Sequence, residues 1–237
     1  MKQETNTALT QAIQDHYDQN PHKPFVEEIK RRVGPHRVYL WGGMVRDPII
    51  NALRNTTLTS KDCDLLIDDQ EIDLEEELRG IPYQRTKHGA PRWIVQPNIE
   101  IDLVSFSHTH PNKEKITLQE TLQYTDVTPT KAAYQLATKQ LFDAGAIQAI
   151  RTGTIDINYF REELAEALLC RVARQAHRFN FEIGTRARQY IQDHYDEDMK
   201  TNITNFYHAK NKQTTANQVT SYLDKITNTK NTAESLI

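Results

Sequence analysis

Long hydrophobic runs are missing from this chain. No stretch approaches the ~18 apolar residues of a membrane-spanning helix, and the opening MKQETNTALTQ has no signal-peptide core. A membrane partner is therefore not expected, and the cytoplasm is the expected compartment. Cysteine is scarce: Cys63 and Cys170 stand far apart without metal-ligand spacing, which argues against a disulfide framework or a zinc cluster. Excess positive charge is absent too. A formal net charge of −3 is not that of a chain that coats RNA by charge alone. Any nucleic-acid footprint has to be local, and basic residues gather at Lys30, Arg31, Arg32 and Arg37, then at Arg171, Arg174, Arg178, Arg186 and Arg188. What remains is ordinary: 237 residues, 38% hydrophobic and 26% charged, enough for one large domain or two small ones.

The informative stretch is Val38 to Asp69. An apolar run, Val38 to Trp41, stops at Gly42-Gly43, where paired glycines let the backbone bend and approach a ligand closely. Val45, Ile49, Ile50 and Leu53 then recur at helical spacing, so the glycines sit where a helix N-terminus offers unpaired N–H groups to an anion such as phosphate. Arg46 falls in that first turn. Past the helix, Asp62 and Asp64 flank Cys63 and lead into Leu65-Leu66-Ile67; residues two apart on an extended chain share a face. Two carboxylates held side by side repel unless a cation neutralises them, and hard oxygen ligands favour magnesium. A third acid, Asp102, lies in the strand-like run IEIDLVSF. Three carboxylates from neighbouring strands are a donor set for two magnesium ions, the device used for in-line displacement at phosphorus.

These blocks, Gly42-Gly43-Met44-Val45-Arg46-Asp47 and Asp62-Cys63-Asp64, resemble the class II tRNA nucleotidyltransferases (CCA-adding enzymes) and bacterial poly(A) polymerases, within the polymerase-beta-like nucleotidyltransferases. The resemblance runs from about Val38 to Phe181. It implies an α+β head, a small mixed sheet with flanking helices, followed by a helical neck. It also implies an enzyme that moves a nucleoside monophosphate from an NTP, CTP or ATP, to an RNA 3′ end, that of tRNA, releasing pyrophosphate. Asp62, Asp64 and Asp102 would be the catalytic and metal-holding acids. Gly42 and Gly43 would cradle the β and γ phosphates, with Arg46 balancing their charge and Asp47 orienting Arg46. Asp126 and Thr128 match part of the motif that contacts ribose and triphosphate, and Arg171 and Arg174 match the two arginines of the neck.

There are departures from the family's pattern. Ser107 or His108 replaces an arginine that usually follows the third acid; Thr125, Val127 and Thr130 replace the arginine, phenylalanine and asparagine around Asp126. The Glu-Asp-x-x-Arg that reads base edges is replaced at Leu164, Ala165 and Leu168, whose apolar side chains cannot hydrogen-bond a base. Read without the resemblance, Asp126 is a helix N-cap, and His88 before Gly89 an exposed loop histidine.

The expected organisation is N-terminal helices over 1–37, with breaks at Asn20-Pro21 and Pro24, a nucleotidyltransferase head over 38–158, and a helical neck with a polar tail over 159–237. Seven acids between Asp68 and Glu77 read as a solvated helix face. Arg92 to Val95 and Ile99 to Phe106 read as a hairpin whose second strand carries Asp102. Phe142-Asp143 followed by Gly145, Ala146, Ile150 and Arg151 resembles the closing strand pair of the head, and the signal from Tyr159 to Ile183 reads as one continuous helix. A tRNA-gripping body is not expected within the tail, and a homo-oligomer or a protein partner is one expected source of that surface. Two further readings stand beside the first: a nucleotidyltransferase acting on a protein or other non-tRNA acceptor, and a binding module that has lost turnover.

Overall fold

The computed structural model describes residues 2–60, 62–85, 91–96, 99–109, 115–159 and 162–234. Its contacts divide the chain into two compact units, Met1–Thr125 with Pro129–Arg151, and Asp126–Thr128 with Thr152–Ile237.

The first unit begins with α1 (Lys2–Asp18) and α2 (Lys23–Val33). Leu9, Ile13 and Tyr17 recur every fourth residue of α1 and are buried, as are Val26, Ile29 and Val33 of α2. Pro24 falls in the first turn of α2, where its missing N–H costs nothing. β1 (Val38–Trp41) then runs into α3 (Gly43–Arg54), and β2 (Cys63–Ile67) follows. The acidic stretch makes a single turn, α4 (Leu74–Glu77), capped by the Asp73 carboxylate, which accepts from the N–H groups of Glu75 and Glu76.

β3 (Tyr83–Arg85), β4 (Pro91–Gln96) and β5 (Ile99–Ser105) come next, then the short α5 (Phe106–Thr109) and α6 (Leu118–Gln123). Thr117 and Glu120 start α6 with a capping box. β6 (Ala132–Gln135) and β7 (Gln140–Asp143) close the sheet, and α7 (Ala146–Thr152) follows. The closing pair is thus β6–β7, and most of the Gly145–Arg151 stretch, expected as strand, is helical instead. Asp143 accepts from the N–H groups of Gly145 and Ile147, ending the strand and starting the helix.

The seven strands are ordered β3-β4-β5-β2-β1-β6-β7, with β2 and β5 parallel and the other pairs antiparallel. Tyr39, Leu66, Phe106, Ile116, Leu122 and Ala133 form a core on one face. The alternate residues, Leu40, Leu65, Ile67 and Leu103, point the other way and are equally buried. α3 packs on β1, β2 and β6 and is backed by α1, so the helix that leaves the glycine turn is clamped at the centre of the sheet.

In the second unit the parallel pair β8 (Thr154–Ile155) and β9 (Glu182–Ile183) flanks α8 (Ala165–Phe179). A short 3₁₀ turn, Glu162–Leu164, precedes α8, so the helix starts later than the periodicity predicts. Leu168, Leu169, Val172, Ala173 and Ala176 form its buried face. The helix stops at Asn180, in the left-handed conformation that asparagine tolerates. Then come α9 (Thr185–His194), α10 (Glu197–His208) and α11 (Gln213–Glu234); Ile203, Tyr207, Val219 and Leu223 are buried. Among the described residues, no helix is long and apolar enough to cross a membrane.

Candidate active site

Hydrogen-bond register alone aligns four side chains across the sheet of the first unit. Trp41 of β1 pairs with Asp64 of β2, Asp64 with Asp102 of β5, and Asp102 with Arg92 of β4. Register partners project from the same face, so Asp64 and Asp102 lie side by side. Trp41 is fixed at its end of this row by a hydrogen bond from Nε1 to the Thr130 carbonyl, 3.1 Å.

The glycine turn is pressed against this row. Gly42 has φ 59° and ψ −131°, a conformation that side chains other than glycine's rarely adopt. A Cβ built there would fall inside contact distance of Asp64 Oδ2. The next glycine, Gly43, opens α3, and a Cβ there would collide with Ser60 Oγ and come within 3.5 Å of Arg46 Nη2. Both glycines therefore have their missing side chains filled by functional groups of the same site. Arg46 is 8% exposed and Asp47 fully buried; Arg46 Nε donates to Asp47 Oδ1 at 2.8 Å, with Nη2 2.6 Å from the same oxygen. This fixes a guanidinium beneath the turn.

Asp62 is exposed at the bend before β2, and Ser60 Oγ donates to its carbonyl at 3.0 Å. Its charge acts on Arg92 and on the buried His22, whose pKa is lowered by burial against opposing contributions from the Glu100 backbone and Asp62. Burial pushes the Cys63 thiol up, with Asp64 and Asp102 adding to the shift, so Cys63 is an inert core thiol inside a negative field.

The donor set of this row consists of hard carboxylate oxygens, which fits magnesium. Asp64 and Asp102 are the pair brought together, and both oxygens of Asp102 accept from Arg92, Nε at 2.5 Å and Nη2 at 2.6 Å. Among the described residues no three His, Cys, Asp or Glu side chains form a group ready to hold an ion. Both oxygens of Asp102 are thus engaged by Arg92. Arg92 was missed in the sequence, although the hairpin register, in which residues 92 and 102 and residues 94 and 100 face each other, would have found it once the turn was known.

The second unit holds the other residues singled out in the sequence. Arg171 Nη1 bonds to the Asp126 carboxylate, and a single 3₁₀ turn (Thr128–Thr130), not an α-helix, follows Asp126. The backbone at Asp126 and Thr128 is tied to the 156–158 segment: Asn158 N–H donates to the Asp126 carbonyl at 2.8 Å and Thr128 N–H to that of Asp156 at 2.9 Å. Arg171, Arg174 and Arg178 are all exposed, on the face of α8 opposite its buried stripe. Leu168, one of the apolar residues that the sequence resemblance sets at base-reading positions, is 3% exposed. His88 lies outside the described residues.

These features define a class of fold first: an α+β head on a seven-stranded mixed sheet, with the glycine turn and the paired acids near its centre. Particular solved structures share it. The Thermotoga maritima CCA-adding enzyme complexed with tRNA aligns with a TM-score of 0.59 at 18% identity, over 90% of this chain and 54% of that one. A tRNA-processing enzyme with CTP gives 0.55 at 18%, over 85% and 56%, and a CCA-adding enzyme with ATP gives 0.55 at 16%, over 84% and 49%. The chain spans about half the length of these structures. No family model matches it. No curated protein matches it either.

Proposed function

We propose that the protein is a magnesium-dependent nucleotidyltransferase that moves a nucleoside monophosphate from CTP or ATP to the 3′ end of an RNA, most directly a tRNA. The observation that carries the proposal is the glycine turn backed onto Asp64, with Asp64 and Asp102 in register on parallel strands. The neighbours' complexes with tRNA, CTP and ATP support the acceptor and donor. In this reading the N–H groups at Gly42 and Gly43 and the buried Arg46 receive the β and γ phosphates, and Asp47 holds Arg46 in place. Asp126, Arg171 and Arg174 serve nucleotide recognition.

Asp62, Asp64 and Asp102 are the residues that would hold magnesium, two ions in the full set. What bound magnesium supplies is charge neutralisation on the triphosphate and a lower pKa for the acceptor hydroxyl. The acceptor oxygen bonds to the α phosphorus, the bond to the α–β bridging oxygen breaks, pyrophosphate leaves, and the hydroxyl proton is taken up among the site's carboxylates and water.

A second reading, transfer to a non-tRNA acceptor, is favoured by Leu164, Ala165 and the buried Leu168 at the base-reading positions. Incubating the protein with magnesium, each α-labelled NTP in turn, and bulk tRNA separates the two. Label on RNA from CTP or ATP is expected; label on protein supports the second reading, and no label with intact NTP binding refutes both.

A further inference from the structure

Arg92 makes contacts that neither the glycine turn nor the phosphate chemistry requires. Its guanidinium spans two acids of β5, Asp102 through Nε and Nη2 at 2.5 and 2.6 Å, and Glu100 through Nη1 at 2.9 Å. Glu100 and Asp102 are two residues apart on the strand and so share a face. The fork is planar and bidentate, the geometry in which an arginine covers both oxygens of a carboxylate at once. A divalent cation chelated by Asp102 would need those same oxygens, and two cations cannot sit within bonding distance of one carboxylate face without strong repulsion.

We propose that Arg92 is a cationic latch on Asp102: it competes for the carboxylate and must move to Glu100 alone before a divalent cation binds there. This rests on the metal assignment made under the proposed function. The side chains are exposed enough for exchange, 39% for Arg92, 23% for Asp102 and 46% for Glu100. Glu100 gives the released guanidinium a partner on the same strand. A consequence is two unequal cation sites, a tighter one at Asp62 and Asp64 and a weaker one at Asp102. Triphosphate, with anionic oxygens for the freed arginine, would strengthen the weaker site.

Free Mn2+ measured by electron paramagnetic resonance during titration of the full chain tests this without relying on activity. The wild type is expected to bind in two classes, the weaker removed by Asp102→Asn and the tighter by Asp64→Asn. Arg92→Gln should tighten the weaker class roughly tenfold, the scale of releasing a partly buried bidentate pair. Arg92→Lys keeps the charge and loses the fork, and should tighten it roughly threefold. If Arg92→Lys matches the wild type while Arg92→Gln tightens, the local field is responsible and the latch is refuted. Superimposed isotherms for all three refute it too, while Mn2+ lost on Asp64→Asn leaves the proposed function standing. No Mn2+ binding in any variant overturns both. Should Arg92→Gln fail to fold by circular dichroism, Arg92→Lys decides alone.

Discussion

Replacing Gly42 by alanine probes the link between backbone and chemistry. At φ 59° and ψ −131° an alanine pays backbone strain of about 1–3 kcal/mol. Its Cβ would also meet the Asp64 carboxylate, which must swing away. In a domain of this size, that strain lowers Tm by roughly 2–12 °C. Displacing Asp64 and blocking phosphate from the turn should cost transfer a further factor of roughly 10²–10³, the scale of losing one preorganised donor. Gly43→Ala is the control, because φ there is not positive and the clash of its Cβ is with the hydroxyl of Ser60, Arg46 Nη2 standing at an ordinary contact distance of 3.5 Å. Pairing Gly43→Ala with Ser60→Ala should restore its stability, whereas pairing Gly42→Ala with Asp64→Ala should leave the backbone strain in place. Thermal unfolding of the four variants, with transfer measured on those that keep Asp64, gives both readouts. Gly42→Ala with wild-type Tm and full transfer would refute the reasoning.

Other predictions follow from the same site and its surroundings. Asp47→Ala leaves the buried Arg46 without its carboxylate and should destabilise the first unit by about 3–5 kcal/mol in urea titrations. The Arg46→Ala/Asp47→Ala double variant should cost less than the sum of the two single changes. His22 has a folded pKa lowered mainly by burial, so it adds nothing to the pH dependence well above pH 6.5. As pH falls below that value, the unfolded chain takes a proton that the folded one refuses. Stability should then drop by up to about 1.4 kcal/mol per pH unit until the folded histidine titrates. His22→Gln should flatten this slope in denaturant melts between pH 6.5 and 5. Asp126→Asn breaks an exposed pair with Arg171 and should change stability by no more than about 1 kcal/mol. On the proposed assignment, Arg171→Ala and Arg174→Ala should raise the KM for NTP with little change in Tm.

Much of the head was legible because its signals are local. The double glycine, the helical spacing after it and the alternating IEIDLVSF each specify one element, and the parallel pairing of β2 with β5 sets Asp64 beside Asp102. The prolines near residues 21 and 24 likewise marked the break between α1 and α2. Harder to read was anything that depends on partners distant in sequence. Arg92 looks like an ordinary strand residue until the hairpin register sets it opposite Asp102. The resemblance carries the closing strand pair past Asp143, yet the Asp143 carboxylate captures two backbone N–H groups and helix follows. Asp126 resembles a helix cap, but its carboxylate bonds to an arginine forty-five positions away. Periodicity also overran at the start of α8, since it does not distinguish a 3₁₀ turn from the first turn of an α-helix.

The most direct test is to follow transfer of label from each α-labelled NTP to tRNA with wild type, Asp64→Asn and Asp102→Asn proteins at matched folding. Both substitutions keep the side-chain shape and remove the charge, and each should lower the transfer rate at least a thousandfold while Tm stays within a few degrees. Transfer that persists within tenfold of wild type in either variant would mean that the paired acids do not carry the chemistry.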